Sequence, residues 1–255
     1  MRFLLLFSLF SFSLFADKPL ALLIDGQNKF HKWQETSPQI ISILDGKFKV
    51  ERITKIQKEW QDNDIEFSKY KVIILNYWGE WPKTLFDKLD NYMKSGGGLV
   101  TVHSALAGFG KNPAFAKMVG LKWQGKNGGK RIYLDNAGKL MADEAGKGEK
   151  VGHSKQHAFP LQSTSKSLFT KLIQSSSLHN RDEMYHALRG PAENMEIQAT
   201  ALSPITKKNE PIIWTVKYEA GRSFVTALGH SKHSMESKLF KESLLKGALW
   251  AAELE

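Results

Sequence analysis

"GGGLVTVHSALAGF", residues 96–109, runs from three glycines into an apolar strand, Leu99–Val102, and then breaks into a turn that carries His103. Sharp strand-to-helix turns of this kind display catalytic side chains in α/β proteins, because the turn holds one residue above the sheet edge. Here the displayed group is an imidazole. The 255 residues contain no cysteine, which excludes a Cys nucleophile, a thiolate metal site and thiol redox chemistry.

The segments around this turn alternate in type. Upstream, Pro82 opens a helix over 83–94 whose Leu85, Phe86, Leu89, Tyr92 and Met93 share one face, and Ser95-Gly96 closes it. Before that helix lies an apolar strand at 72–76. "FKVERIT" (48–54) alternates like a strand. A helix with Thr36 or Ser37 as its cap and Pro38 at its first position is expected to run to about Asp45. "LALLID" (20–25) is a first buried strand. Buried strands alternating with helices imply a parallel sheet covered on both faces. Ligands in such sheets sit beyond the carboxyl ends of the strands, where the loops 25–33, 76–81 and 103–109 converge.

The second half is more irregular. Residues 122–157 are rich in Gly and Lys, and "GKGEKVGHSKQH" (146–157) reads as a loop. "MEIQATALS" (195–203) alternates as a strand. "PIIWTVKYEAGRSFVTALGH" (211–230) reads as a hairpin about Glu219–Arg222, with Gly221 supplying the turn. Phe240, Leu244, Ala248 and Leu249 mark a final helix. Without repeats, low-complexity segments or a domain boundary, residues 17–255 are expected to form a single domain.

Residues 1–16 read as a cleaved signal peptide: Arg2, then an apolar run too short to span a bilayer, then Ala16 before Asp17-Lys18-Pro19. Periplasmic or secreted protein without a stable membrane anchor is the expectation. Net charge is +10, but the cations are mostly Lys interleaved with Asp and Glu. No Arg-rich helix or nucleic-acid motif accompanies them, so a solvated surface is expected rather than a nucleic-acid partner.

Eight histidines carry the candidate chemistry. A lone His at a strand end is ordinarily a partly exposed residue bonded to a loop carbonyl. His31, His103 and His230, however, each follow an expected strand at the same end of the sheet. His153 and His157 lie four apart, a metal-pair spacing only on a helix, which Gly152 and Pro160 argue against. His179 and His186 flank "RDEMY", the source of Glu183 and Tyr185.

"LLIDGQN…HKW", "VIILNYWGEWP", "GGGLVTVHSA", "GHSKQHAFP", "DEMYHALRGPAENMEIQATA", "EPIIWTVKYEAGRSFVTALGH" and "GALWAA" together resemble the trehalose-utilisation (ThuA-like) family over nearly the whole chain after residue 16. The resemblance implies a flavodoxin-like, class I glutamine-amidotransferase-like fold and a place in sugar catabolism, often beside oxidoreductases that make 3-keto sugars. In true amidotransferases the turn occupied by His103 holds the nucleophilic Cys. Imidazole suits proton transfer at neutral pH but replaces a thiolate poorly in acyl transfer. The loop "GQNKFHKW" is one residue longer than the family's Gly-Gln-Asn-Asn-His form, which bears on where His31 falls.

The expected function is an exported enzyme acting on a disaccharide or keto-sugar, by His/Glu acid-base catalysis or through a His-bound divalent metal. His103 and His157 would move protons or bind the metal, with Glu183 as acid/base or supporting carboxylate. Gln27, Asn28, Asn76 and Tyr185 would hold hydroxyls, Trp33 and Trp78 would stack on a sugar face, and His31, His153 and His230 would line the site. A non-catalytic carbohydrate-binding protein is the alternative, with the same aromatic and amide groups but no need for clustered His and Glu. Glycoside hydrolysis needs two carboxyls at a set separation, for which only Glu183 with Glu80 or Asp25 is placed.

Overall fold

Apolar residues alternate in facing along the central strands, so each strand feeds two cores. The computed structural model describes residues 17–255; the signal peptide read at 1–16 lies outside them. The first half supplies β1 (Leu20–Asp25), α1 (Trp33–Leu44), β2 (Lys49–Thr54), β3 (Val72–Leu75), α2 (Lys83–Lys94), β4 (Gly98–Val102) and α3 (Pro113–Val119). An irregular stretch follows with β5 (Arg131–Leu134), β6 (Leu140–Asp143), β7 (Gly152–His153), β8 (His157–Pro160), β9 (Gln162–Ser163), α4 (Thr170–Ser175), β10 (Leu178–Asp182) and β11 (Tyr185–His186). The chain closes with β12 (Met195–Leu202), β13 (Asn209–Tyr218), β14 (Gly221–Thr226), α5 (Lys232–Met235) and α6 (Lys238–Ala251).

The main sheet runs β2-β1-β3-β4-β14-β13-β12-β9, with β5 and β6 joined at one end of β13. Its centre, β2-β1-β3-β4-β14, is parallel, and β13, β12 and β9 extend it antiparallel. Leu22, Ile24, Ile73 and Leu99 pack with Leu85, Leu89 and Met93 of α2 and Phe115 of α3 on one face. Their neighbours Ala21, Leu23, Ile74 and Val100 face the other way, onto Ile40 and Leu44 of α1 and Leu239, Phe240 and Leu244 of α6. Successive strand residues point to opposite faces. This is the doubly covered α/β sheet of a flavodoxin-like fold.

Two local expectations are corrected. Helix α1 begins at Trp33, with Pro38 inside it and no side-chain cap. Thr36 and Ser37 do not cap because their hydroxyls face inward and accept hydrogen bonds from Asn76 Nδ2, both at 2.9 Å. In the hairpin, Glu219 rather than Gly221 takes the left-handed conformation, with φ 51°. Gly221 is required for closeness, since a β-carbon there would overlap the Met93 carbonyl. The 146–157 segment holds no helix, as expected, but it is not all loop, since β7 and the first residue of β8 fall within it; β5, β6 and α3 are further elements with no counterpart in the sequence pattern. No helix among the described residues is long and apolar enough to cross a membrane.

Candidate functional site

Strand β4 ends at Val102, and the next residue, His103, adopts φ 47°. A non-glycine residue rarely takes this left-handed conformation, which costs of order 1–3 kcal/mol unless the surroundings enforce it. Here the enforcing contact is Nδ1–H of His103 donating to the Ala227 carbonyl at 2.6 Å, on the strand end beside it. The ring is stacked on Tyr185, with centroids 4.1 Å apart. A carbonyl can only accept, so Nδ1 carries a hydrogen, and in the neutral ring the lone pair is on Nε2.

His31 reaches the same place from the loop after β1. Asn28 Oδ1 accepts from the backbone N–H of Phe30 and His31 and from His31 Nδ1 at 3.0 Å, while Asn28 Nδ2 donates to Ser104 Oγ on the His103 turn. The second imidazole is thereby also fixed with its Nε2 lone pair inward. His230 comes from the loop after β14. The three rings pack with centroids 4.7 to 5.5 Å apart. His31 Nε2, His103 Nε2 and His230 Nδ1 are buried with no hydrogen-bond partner, a costly state for three nitrogens in one place.

All three converge on one carboxylate oxygen. Glu183 Oε2 lies 3.8 Å from His31 Nε2, 3.8 Å from His103 Nε2 and 3.0 Å from His230 Nδ1. The four donor atoms lie within 4.8 Å of one another. Ligands about 2.1 Å from a tetrahedral ion sit about 3.4 Å apart, so the observed separations bracket the spacing that a first-row divalent cation needs. Imidazole and carboxylate together suit zinc and its neighbours rather than calcium or magnesium.

Electrostatics agree with ligation. Burial and the neighbouring His103 and His230 push His31 down to about 4 against the partial pull of Glu183, so it is neutral near pH 7. Burial alone would raise the Glu183 carboxyl, but the three imidazoles that face it at 3.0 to 3.8 Å outweigh burial and hold the group well below the ordinary carboxylate range.

A buried clamp holds this geometry. Asp182 accepts from the backbone N–H of Glu183, Gly229 and His230 at 2.8 to 3.0 Å. His179 Nε2 lies 2.9 Å from Asp182, and His179 Nδ1 lies 2.9 Å from Ser237 Oγ. Ser237–His179–Asp182 has the composition of a hydrolase triad, but Asp182 and His179 are wholly buried and Ser237 caps α6 by accepting from Phe240 N–H. It fixes Glu183 and His230 in place.

The other expected residues divide. His153 stands at the mouth, its Nδ1 3.6 Å from Glu183 Oε1 and its side chain 45 % exposed. His157 does not join the cluster. Its Nδ1 lies 2.9 Å from the Lys155 carbonyl and 3.2 Å from Ser154 Oγ, and its ring rests on Phe159. His103 and His157 are therefore not grouped on the same carboxylate. The expectation for Asn76 is corrected, because its amide is buried against α1 rather than offered to a ligand. Asp25 is occupied by Arg52 and Thr54. Trp33 has Arg52 over its ring. Gln27 ties its loop to Gln57, and Trp78 packs against Phe30. Asp182, Ser104 and Trp123, whose ring meets Tyr185, were not read from the sequence. Their roles depend on contacts across the fold, and no local spacing marks them.

The family profile described as trehalose utilisation (ThuA) matches residues 21–251. A solved ThuA-like protein from Parabacteroides merdae is 32% identical with a TM-score of 0.82, the match covering 92% of this chain and 90% of that one. A ThuA-like protein from Bacteroides uniformis, 19% identical over 93% of each chain, has a TM-score of 0.64. A β-galactosidase from Rahnella shares the fold at 12% identity and a TM-score of 0.54, with 94% of this chain covering 32% of that one. No curated protein matches the chain.

Proposed function

The chain belongs to the ThuA family of trehalose-utilisation proteins, and on that premise we propose an exported sugar-catabolic enzyme acting on a disaccharide or keto-sugar through a divalent cation held by His31, His103, Glu183 and His230. The observation that carries this reading is the convergence of three unpartnered imidazole nitrogens on one carboxylate oxygen. A cation bound there would act as a Lewis acid toward a sugar oxygen. A non-catalytic sugar-binding protein would need the surrounding amides and aromatics but not this donor set.

The protein's own groups supply the rest. Hydrogen bonds at Nδ1 turn Nε2 of both His31 and His103 toward the centre. His153 is the imidazole placed to exchange protons with solvent. Its Nδ1 lies 3.0 Å from the Ser154 carbonyl and 3.6 Å from Glu183 Oε1. Glu183 and His230 are each 16 % exposed at the side chain, so the centre is open on one side for an incoming oxygen. Export rests on the apolar N-terminal segment with Ala16 before Asp17.

Incubating the purified protein with a panel of disaccharides and their 3-keto forms, before chelation, after it and after metal is restored, tests the reading. Conversion that stops on chelation and returns with the metal supports it. Full turnover by the metal-free protein, or no conversion of any sugar by the metal-loaded one, overturns it.

A further inference from the structure

A cavity of about 540 Å³ lies beside the four-residue centre, lined by Gln27, Asn28, Trp33, Gln57, Trp78 and Glu80 among others. Its size falls within the roughly 300–1,000 Å³ of small-molecule sites. Asn28 belongs to both places, since it lines the cavity and its Oδ1 holds His31 Nδ1. The same oxygen accepts from Phe30 N–H. The turn that aims His31 at the centre therefore also sets Phe30, which at 63 % is the most exposed large apolar side chain among the described residues. Phe30 does not stand alone: its ring lies 5.2 Å from that of Trp78, tilted by 36°.

A single exposed aromatic needs no explanation. A paired one is different when its partner Trp78 lines a cavity, the residue that orients a site histidine fixes it, and Lys29 Nζ lies 5.3 Å from its ring centre. Around it the cavity presents Gln57 Nε2 and the carboxylate of Glu80, with the Gln27 amide bonded to Gln57 behind them. Apolar ring faces beside a few convergent polar groups match a pyranose, which has a C–H face and a hydroxyl edge. We infer that this cavity is the subsite for the second ring of a disaccharide whose first ring reaches the centre, with Trp78, backed by Phe30, as its platform. The inference rests on the sugar-enzyme reading above and names the subsite that reading lacks.

Calorimetric titration of the purified protein with trehalose and with glucose tests it, using wild type, Phe30→Ala, Trp78→Ala and the conservative Trp78→Phe. Covering about 60 Å² of C–H surface on an aromatic face corresponds to about tenfold in affinity. Wild type should bind the disaccharide about tenfold more tightly than glucose. Each alanine variant should lose most of that difference, and Trp78→Phe should keep it. Bound metal per chain, measured on the same samples, should be unchanged in all three variants. Wild type that binds neither sugar overturns the subsite, whereas the sugar-enzyme reading falls only if the wider panel of disaccharides and 3-keto forms is also left unconverted. Wild type that binds trehalose, with both alanine variants unaltered, leaves that reading standing and overturns the subsite.

Discussion

Glu183 receives three imidazoles on one oxygen, so its charge can be tested separately from its shape. Glu183→Gln keeps the volume but removes the anion that offsets a cation's charge. Metal bound per chain and turnover should both fall by more than tenfold, while the thermal midpoint moves by no more than a few degrees. Metal analysis alongside a melting curve checks this, and a variant that holds metal as wild type does would count against ligation. A second buried charge is not one of the four donors. Lys122 is fully buried, its Nζ donates to the Gly110 carbonyl at 2.6 Å, and burial pushes it from its ordinary 10.5 down to about 8. Between those values the unfolded chain binds more protons than the folded one, so stability rises with pH across roughly 8 to 10.5 by up to about 3 kcal/mol. Below that window the folded state carries an unfavourable buried cation. Lys122→Met should therefore raise the unfolding midpoint at pH 7 and flatten the alkaline rise, as denaturant titrations at pH 7, 9 and 10 would show.

Helix α6 packs against β14 through Gly247, where an added β-carbon would overlap the buried Phe224 ring. Helix propensity alone favours Gly247→Ala by about 1 kcal/mol, whereas overpacking costs about 1–3 kcal/mol. The variant should be less stable than wild type, and a higher thermal midpoint would show that the helix can shift outward. The Asp182 clamp joins the loop after β14 to the segment bearing Glu183. Asp182→Asn loses the anion that holds three backbone N–H groups and His179, and it should weaken metal binding by about 10- to 100-fold, read by competition with a chromogenic chelator. Unchanged affinity would reduce the clamp to a folding element. The strands of the central sheet and α2 were readable because their apolar period and bounding Pro and Gly are local signals. The start of α1 was not, because Thr36 and Ser37 resemble caps until Asn76, some 40 positions away, is seen to claim their hydroxyls. His157 misled for a related reason. In the irregular insert, β7 and β8 pair with different partners, which sets His153 opposite Tyr185 and His157 opposite Asp182, and sequence spacing cannot reveal that pairing.

At the scale of the whole molecule, the sheet brings the loops after β1, β4 and β14 to one end, and this topology alone placed His31, His103 and His230 together. The extra residue in "GQNKFHKW" does not displace His31, because Asn28 absorbs it in a turn closed on its own side-chain oxygen. Glu183 was read from "RDEMY", between His179 and His186, and not from the sheet topology, since it arrives from the insert and not from a strand end of the parallel block. Export predicts that the protein recovered from outside the cytoplasm starts near Asp17, and an intact mass that includes Met1–Ala16 would argue against it. The most direct test of the centre is elemental analysis of the purified protein beside His103→Ala, with both first loaded with a divalent first-row ion and then dialysed. Wild type should retain one ion per chain and His103→Ala well below one, with both folded by circular dichroism. Wild type that retains none, or a variant that retains as much as wild type, would contradict a metal centre built on His31, His103, Glu183 and His230.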